Sequence, residues 1–245
     1  MSVKAGAYRH DYYMRRKANG GKPLRSVLIK SFPGETHSVD LQGRSLKYGD
    51  LGEVMYGKVQ SMANVFENEY YTDSKQEHMI LIDENGNIVR LLHGGKDNVD
   101  VTQITPDEWG RAMVLTHNHP GNDFNIGGPL SDADVNVFMK RPSMSILRAA
   151  AVEGTYTMVK TPETKADAFR KAYTEKFGAN SEAWLNATLT ATKAQEAAMT
   201  GKMDFWSSER MQDKALNDFR LDAHEWLIDN QEKYGYRYAL ERRKT

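Results

Sequence analysis

The chain has 245 residues, 33 Lys and Arg against 33 Asp and Glu, 40% hydrophobic residues and no cysteine. That length suits one sizeable domain with additions, or two small ones. The missing thiols exclude disulfide scaffolds, thiolate zinc sites, iron–sulfur clusters and cysteine nucleophiles, so any metal must sit on His and carboxylate. The longest apolar runs, such as Met79–Ile82, fall far short of the ~20 residues that cross a bilayer, and the N-terminus lacks the apolar stretch of a signal peptide. The reading is a soluble cytoplasmic protein with no membrane partner.

Charge is balanced only globally. Residues 1–30 carry eight Lys or Arg against the single acid Asp11, which leaves 25 basic and 32 acidic groups for the remainder. Segment 1–45 therefore reads as a basic N-terminal extension. Tyr8, Tyr12 and Tyr13 lie among its cations, a mixture able to follow a nucleic-acid backbone and stack on bases. The plainer reading is a solvated tail around Gly20-Gly21.

After Asp50, the apolar residues Leu51, Met55, Val59, Met62 and Phe66 recur at helical steps, with Asp50 and Glu53 as a capping pair. His78–Ile82 and Ile88–Leu92 flank the turn residues 83–87 and predict a β-hairpin ended by Gly94-Gly95. A short strand is expected at Val99–Thr102. Thr105-Pro106-Asp107-Glu108 starts a brief helix through Trp109, and Met113–Thr116 is a strand running into His117-Asn118-His119-Pro120.

Ser131 opens a further helix that Arg141-Pro142 ends. Ile146–Val152 and Thr155–Lys160 form a second hairpin. Beyond Pro162 the pattern is helical throughout: one helix to Gly178, a second after Ser181, and a third bearing Leu216, Phe219, Ala223, Trp226 and Leu227. These boundaries divide the chain into the extension, an α/β core at 46–162 and a C-terminal helical region at 163–245, which either packs on the core or stands as a separate bundle.

Of seven histidines, only His117 and His119 are spaced like ligands, because side chains at i and i+2 of a strand share a face. Alone, such a pair is weak evidence and reads first as two histidines bonding nearby carbonyls. Ser131-x-x-Asp134 is an ordinary capping pair or the source of a third ligand; Asp123 and Asp132 are alternative carboxylates. Glu77, before the first strand, is a solvent-facing edge residue or a carboxylate that binds no metal but holds a water. The Gly-rich stretch 120–130 reads as a substrate gate or as a tight path.

Taken together, Glu77, His117-x-His119-Pro120 and Ser131-x-x-Asp134 resemble the JAMM (JAB/MPN) zinc metallopeptidase signature, over roughly residues 70–160. The surrounding wording is most like RadC-type and bacteriophage-encoded JAB-like domains, with a longer connection between His119 and Ser131 than the usual pattern. The resemblance implies a deaminase-like three-layer α/β core with a mixed sheet, from a phage or prokaryotic source. It implies zinc on His117, His119 and Asp134 with an open fourth position, Glu77 as general base and then acid, and Ser131 as donor to the oxyanion. The reaction would be hydrolysis of a peptide or isopeptide bond in a protein substrate such as a ubiquitin-like conjugate, in the host cytoplasm if phage-encoded. The alternatives are a noncatalytic JAB-like interaction module of a phage particle or defence complex, and a DNA-associated RadC-like protein using the basic head.

Overall fold

The computed structural model describes residues 27–32, 35–39, 41, 43–96, 98–121 and 125–242. Residues 1–26, with Tyr8, Tyr12, Tyr13 and most of the head cations, lie outside the described residues, as does Asp123. Within the expected basic extension, β1 (Val27–Phe32) and β2 (Glu35–Val39) pair antiparallel in a small sheet of their own.

The main body runs α1 (Gly57–Tyr70), β3 (His78–Ile82), β4 (Ile88–His93), α2 (Pro106–Arg111), β5 (Val114–Asn118), α3 (Asp132–Met139), β6 (Ile146–Ala151) and β7 (Gly154–Lys160). It continues with α4 (Ala166–Phe177), α5 (Glu182–Met199), α6 (Phe205–Asp229), α7 (Gln231–Tyr234) and β8 (Tyr236–Glu241). Its strands form one mixed six-stranded sheet, in the order β4-β3-β5-β6-β7-β8. The pair β5–β6 is parallel and the other pairings are antiparallel. A parallel pair needs a crossover, and α3 supplies it.

Strand alternation sends apolar side chains to both faces, so helices cover both. On one face Ile80, Ile82, Val114 and Ile146 pack against Met55, Val59, Ala63 and Phe66 of α1 and its approach. On the other, Leu81, Leu115, Leu147 and Met158 belong to a larger core with Phe138 of α3, Phe169 and Tyr173 of α4, and Leu227 of α6. The expected α/β fold with a mixed sheet between helical layers is therefore present. Among the described residues no helix is long and apolar enough to cross a membrane.

Three local expectations are corrected. The first helix begins at Gly57 and not after Asp50, whose carboxylate instead accepts from the Gly52 N–H at 2.7 Å. Gly57 itself has φ +53°, a left-handed conformation through which a right-handed helix does not run. The Val99–Thr102 segment is a 3₁₀ turn at Val101–Gln103, because Asp100 caps it by accepting from the Thr102 N–H. The region 163–245 is not helical throughout: β8 returns to the core sheet beside β7, its Tyr236, Tyr238 and Leu240 buried at period two. The proposed hairpins and the short helix at Thr105 form as expected, the latter with a complete capping box.

Under α1 lies a buried ion pair. Arg148 of β6 donates through Nε and Nη2 to both oxygens of Glu67 (2.6 and 2.9 Å), while Thr116 Oγ1 donates to the same carboxylate at 3.0 Å. Arg148 Nη1 also reaches Glu241 Oε2 at 3.4 Å, so removing Glu67 leaves the buried guanidinium with that one longer ion pair, which costs more than the Glu67–Arg148 pair contributes net. Glu67→Ala should therefore lower stability by about 3–5 kcal/mol in urea denaturation. The double variant Glu67→Leu, Arg148→Met should be more stable than Glu67→Ala.

Candidate metal centre

The site is assembled where β5 ends. His117 and His119 turn to the same face, with their Nε2 atoms 2.8 Å apart and their rings crossed at 73°. His119 stays in register after the strand because its N–H donates to the Ala150 carbonyl at 2.9 Å.

The start of α3 brings the carboxylate. Ser131 is its N-cap, and Asp134 donates its N–H to Ser131 Oγ (3.1 Å) while its Oδ2 accepts from the Ser131 N–H (2.7 Å). This reciprocal box orients the carboxylate as well as starting the helix. Asp134 Oδ1 then lies 3.2 Å from His117 Nε2, and Oδ2 lies 3.3 Å from His119 Nε2. Glu77 completes the group, and one ligand atom from each of Glu77, His117, His119 and Asp134 lies within 4.8 Å of the others.

These donors suit a divalent ion. Gly128 offers only a carbonyl oxygen to His119 Nδ1, at 3.0 Å, so Nδ1 carries the hydrogen and the Nε2 lone pair faces the cluster. The Nδ1 of His117 is buried without a hydrogen-bond partner of normal geometry. Two imidazoles and one carboxylate leave a tetrahedral ion one open position, the arrangement of a catalytic rather than a purely structural site.

Electrostatics link the ligands. Burial opposes a charge on His117, but the charge and hydrogen bond of Asp134, with Glu77 behind them, outweigh it and lift the imidazole to about 9. Burial likewise favours neutral Asp134, yet the charge and hydrogen bond of His117 hold its carboxyl well below the usual range. At neutral pH the metal-free His117 therefore carries a proton, and the cluster is a compact ion pair.

Of the sequence candidates, Glu77, His117, His119 and Asp134 meet, and Ser131 is joined to them through Asp134. Asp132 is turned elsewhere, accepting from Asn136 Nδ2 at 2.9 Å and Thr174 Oγ1 at 2.5 Å. His78 and His93 form a separate chain with Asp73, and His224 bonds Tyr238 and the Lys47 carbonyl.

Two supports escape sequence reading. Asn118, between the histidines, accepts from the His78 N–H (2.6 Å) and donates to the carbonyls of Asp73 and Gln76 (3.2 and 3.0 Å). It thereby holds the turn that leads into Glu77. The second support is the packing of the Gly-rich stretch, whose residues 126–130 are buried and tied to α6. Ile126 is gripped by Asn217 at its N–H and by Arg220 at its carbonyl (3.2 and 2.5 Å), and Asn125 donates to Asp213 at 2.5 Å. This part follows a tight, anchored path. No signal in the local sequence marks residues some 90 positions away as its partners.

No family model, curated protein or solved structure matches this chain.

Because His117 is raised above its ordinary value of 6.5 to about 9, a metal ion must displace a proton from it whenever the pH is below about 9. Affinity for a divalent ion should rise with pH up to that point and then level off. At pH 7, calorimetry in buffers of differing ionisation enthalpy should show about one proton released per ion bound.

Proposed function

We propose that this chain is a zinc-dependent peptidase or isopeptidase of the JAMM type. The observation that carries this reading is the meeting of Glu77, His117, His119 and Asp134, from three separate segments, within 4.8 Å. A His-x-His at a strand end, a carboxylate in the first turn of the following helix and a further carboxylate just before a neighbouring strand make up the JAMM signature. The mixed sheet with α1 on one face and α3, α4 and α6 on the other is compatible with that family's core.

When bound, zinc supplies Lewis acidity, polarising a carbonyl and making water acidic near neutral pH. His117, His119 and Asp134 would hold it. Glu77, half-buried beside them, accepts the proton as water adds to the amide carbon and delivers it to the leaving amine when the C–N bond breaks. Ser131 Oγ already accepts the Asp134 N–H, so its own hydrogen is left to donate to the oxygen on which charge develops. A ubiquitin-like conjugate is the first substrate to try.

Elemental analysis of purified protein should find about one zinc per chain, lost in the His117→Ala, His119→Ala double variant. Glu77→Gln should keep the zinc and the fold while turnover falls at least ~100-fold, the usual scale of a general base. Wild-type protein without zinc, or Glu77→Gln with undiminished turnover, would refute the assignment. Zinc bound without hydrolysis of peptide and isopeptide substrates would make the chain a binding module.

A further inference from the structure

Glu153 sits at the β6–β7 turn, where a glutamate before a glycine ordinarily faces water. Here it is fully buried, at 0% exposure. Among the described residues no Lys or Arg pairs with it. Its carboxylate instead accepts three hydrogen bonds, from the N–H groups of Gly127 (3.1 Å) and Gly128 (2.9 Å) and from the Tyr156 hydroxyl (2.7 Å). Burying a carboxylate without a cation is costly, but it satisfies two peptide N–H groups that are themselves buried. What the carboxylate adds is direction. Two successive peptide N–H groups are drawn to one acceptor, and the peptide that follows turns its Gly128 carbonyl onto His119 Nδ1 at 3.0 Å.

The glycines make this path possible. A Cβ on Gly127 would meet Ala151 Cβ at 2.5 Å and the His119 carbonyl at 2.8 Å, and Gly128 has φ +88°. The loop thus lies directly on His119, in a conformation that only glycine adopts without strain.

We propose that Glu153 is a positioning residue for the metal centre, fixing the orientation and tautomer of His119 through the Gly127–Gly128 backbone. The proposal rests on the reading of His119 as a ligand through Nε2. Outer partners that orient a ligating imidazole typically change metal affinity 10–100-fold when removed. Glu153→Gln keeps the volume but replaces one acceptor oxygen with an N–H₂ donor facing a glycine N–H. Glu153→Asp keeps the charge but withdraws it by one methylene.

The test uses the full chain, labelled with ¹⁵N-histidine. Long-range ¹H–¹⁵N spectra of metal-free protein at a pH where His119 is neutral report which nitrogen carries hydrogen, and titration with zinc ions alone reports affinity. Wild type should show His119 protonated on Nδ1. Glu153→Gln and Glu153→Asp should each show mixed tautomers and 10–100-fold weaker zinc binding, and either variant suffices if the other does not fold. Tyr156→Phe, which removes the third hydrogen bond but leaves both glycine contacts, should lower the unfolding temperature without altering the His119 signal. Unchanged His119 signals in a folded Glu153 variant would overturn the proposal, as would an equal shift in Tyr156→Phe. A Glu153-dependent tautomer in a wild-type chain that binds no zinc would sustain the positioning role while removing the metal reading.

Discussion

A parallel strand pair constrains where the chain can go. Because β5 and β6 run the same way, the polypeptide leaves the carboxyl end of β5, crosses a face of the sheet and re-enters at the start of β6. α3 makes that crossing, so its N-terminus comes down beside the end of β5. Ligands gather at the carboxyl ends of strands in open α/β sheets for this reason. In this chain the end of β5 carries two imidazoles and the first turn of α3 carries a carboxylate. Position and charge agree, since an anion at a helix N-terminus is favoured by the unpaired N–H groups there.

β5 itself divides its labour by residue parity. His117 and His119 face the helix-rich side and bear the candidate ligands. Thr116 and Asn118 face the α1 side and tie the strand down, Thr116 to the buried Glu67 and Asn118 to the turn before Glu77. The ligand face is thus rigid partly because its back is pinned by polar contacts as well as by packing. A one-residue slip of register would exchange the two sets, exposing the histidines to the Glu67–Arg148 pair and the anchors to Asp134. The pairing of β5 with β3 on one side and β6 on the other makes such a slip expensive.

Local chemistry made much of this legible. Ser131 and Thr105 cap their helices as their spacing implies, because a hydroxyl and an acid three residues on satisfy backbone donors wherever a helix starts. The two hairpins were legible because turn residues separate short apolar runs. The meeting of Glu77 with His117, His119 and Asp134 was suggested by the joint pattern, not by any one residue. The start of α1 is not legible because Leu51 and Met55 keep the apolar spacing of a helix, and both are buried, though the backbone there is irregular, with Gly52 at φ +69°. Periodicity reports burial, and burial does not require helix. β8 is hidden for a related reason: Tyr236, Tyr238 and Leu240 alternate cleanly, but the run is short and follows four helices. Its partner β7 is some 80 residues earlier in the chain.

The connection from His119 to Ser131 shows most clearly what a linear reading omits. Lengthening a loop is cheap, about 0.6 kcal/mol for each doubling, so extra residues need not disturb where Asp134 lands. What matters is how the added chain is held. Asp213, Asn217 and Arg220 of α6 take its middle, Glu153 takes the two glycines, and the Tyr173 hydroxyl donates to the Leu130 carbonyl at 2.6 Å just before the helix cap. Every one of these partners lies after the loop in sequence, and all but Glu153 lie in the C-terminal region. The C-terminal helices are accordingly part of the centre's support. A chain shortened to its apparent α/β core would lose the groups that hold the loop, and with β8 it would lose an edge of the sheet.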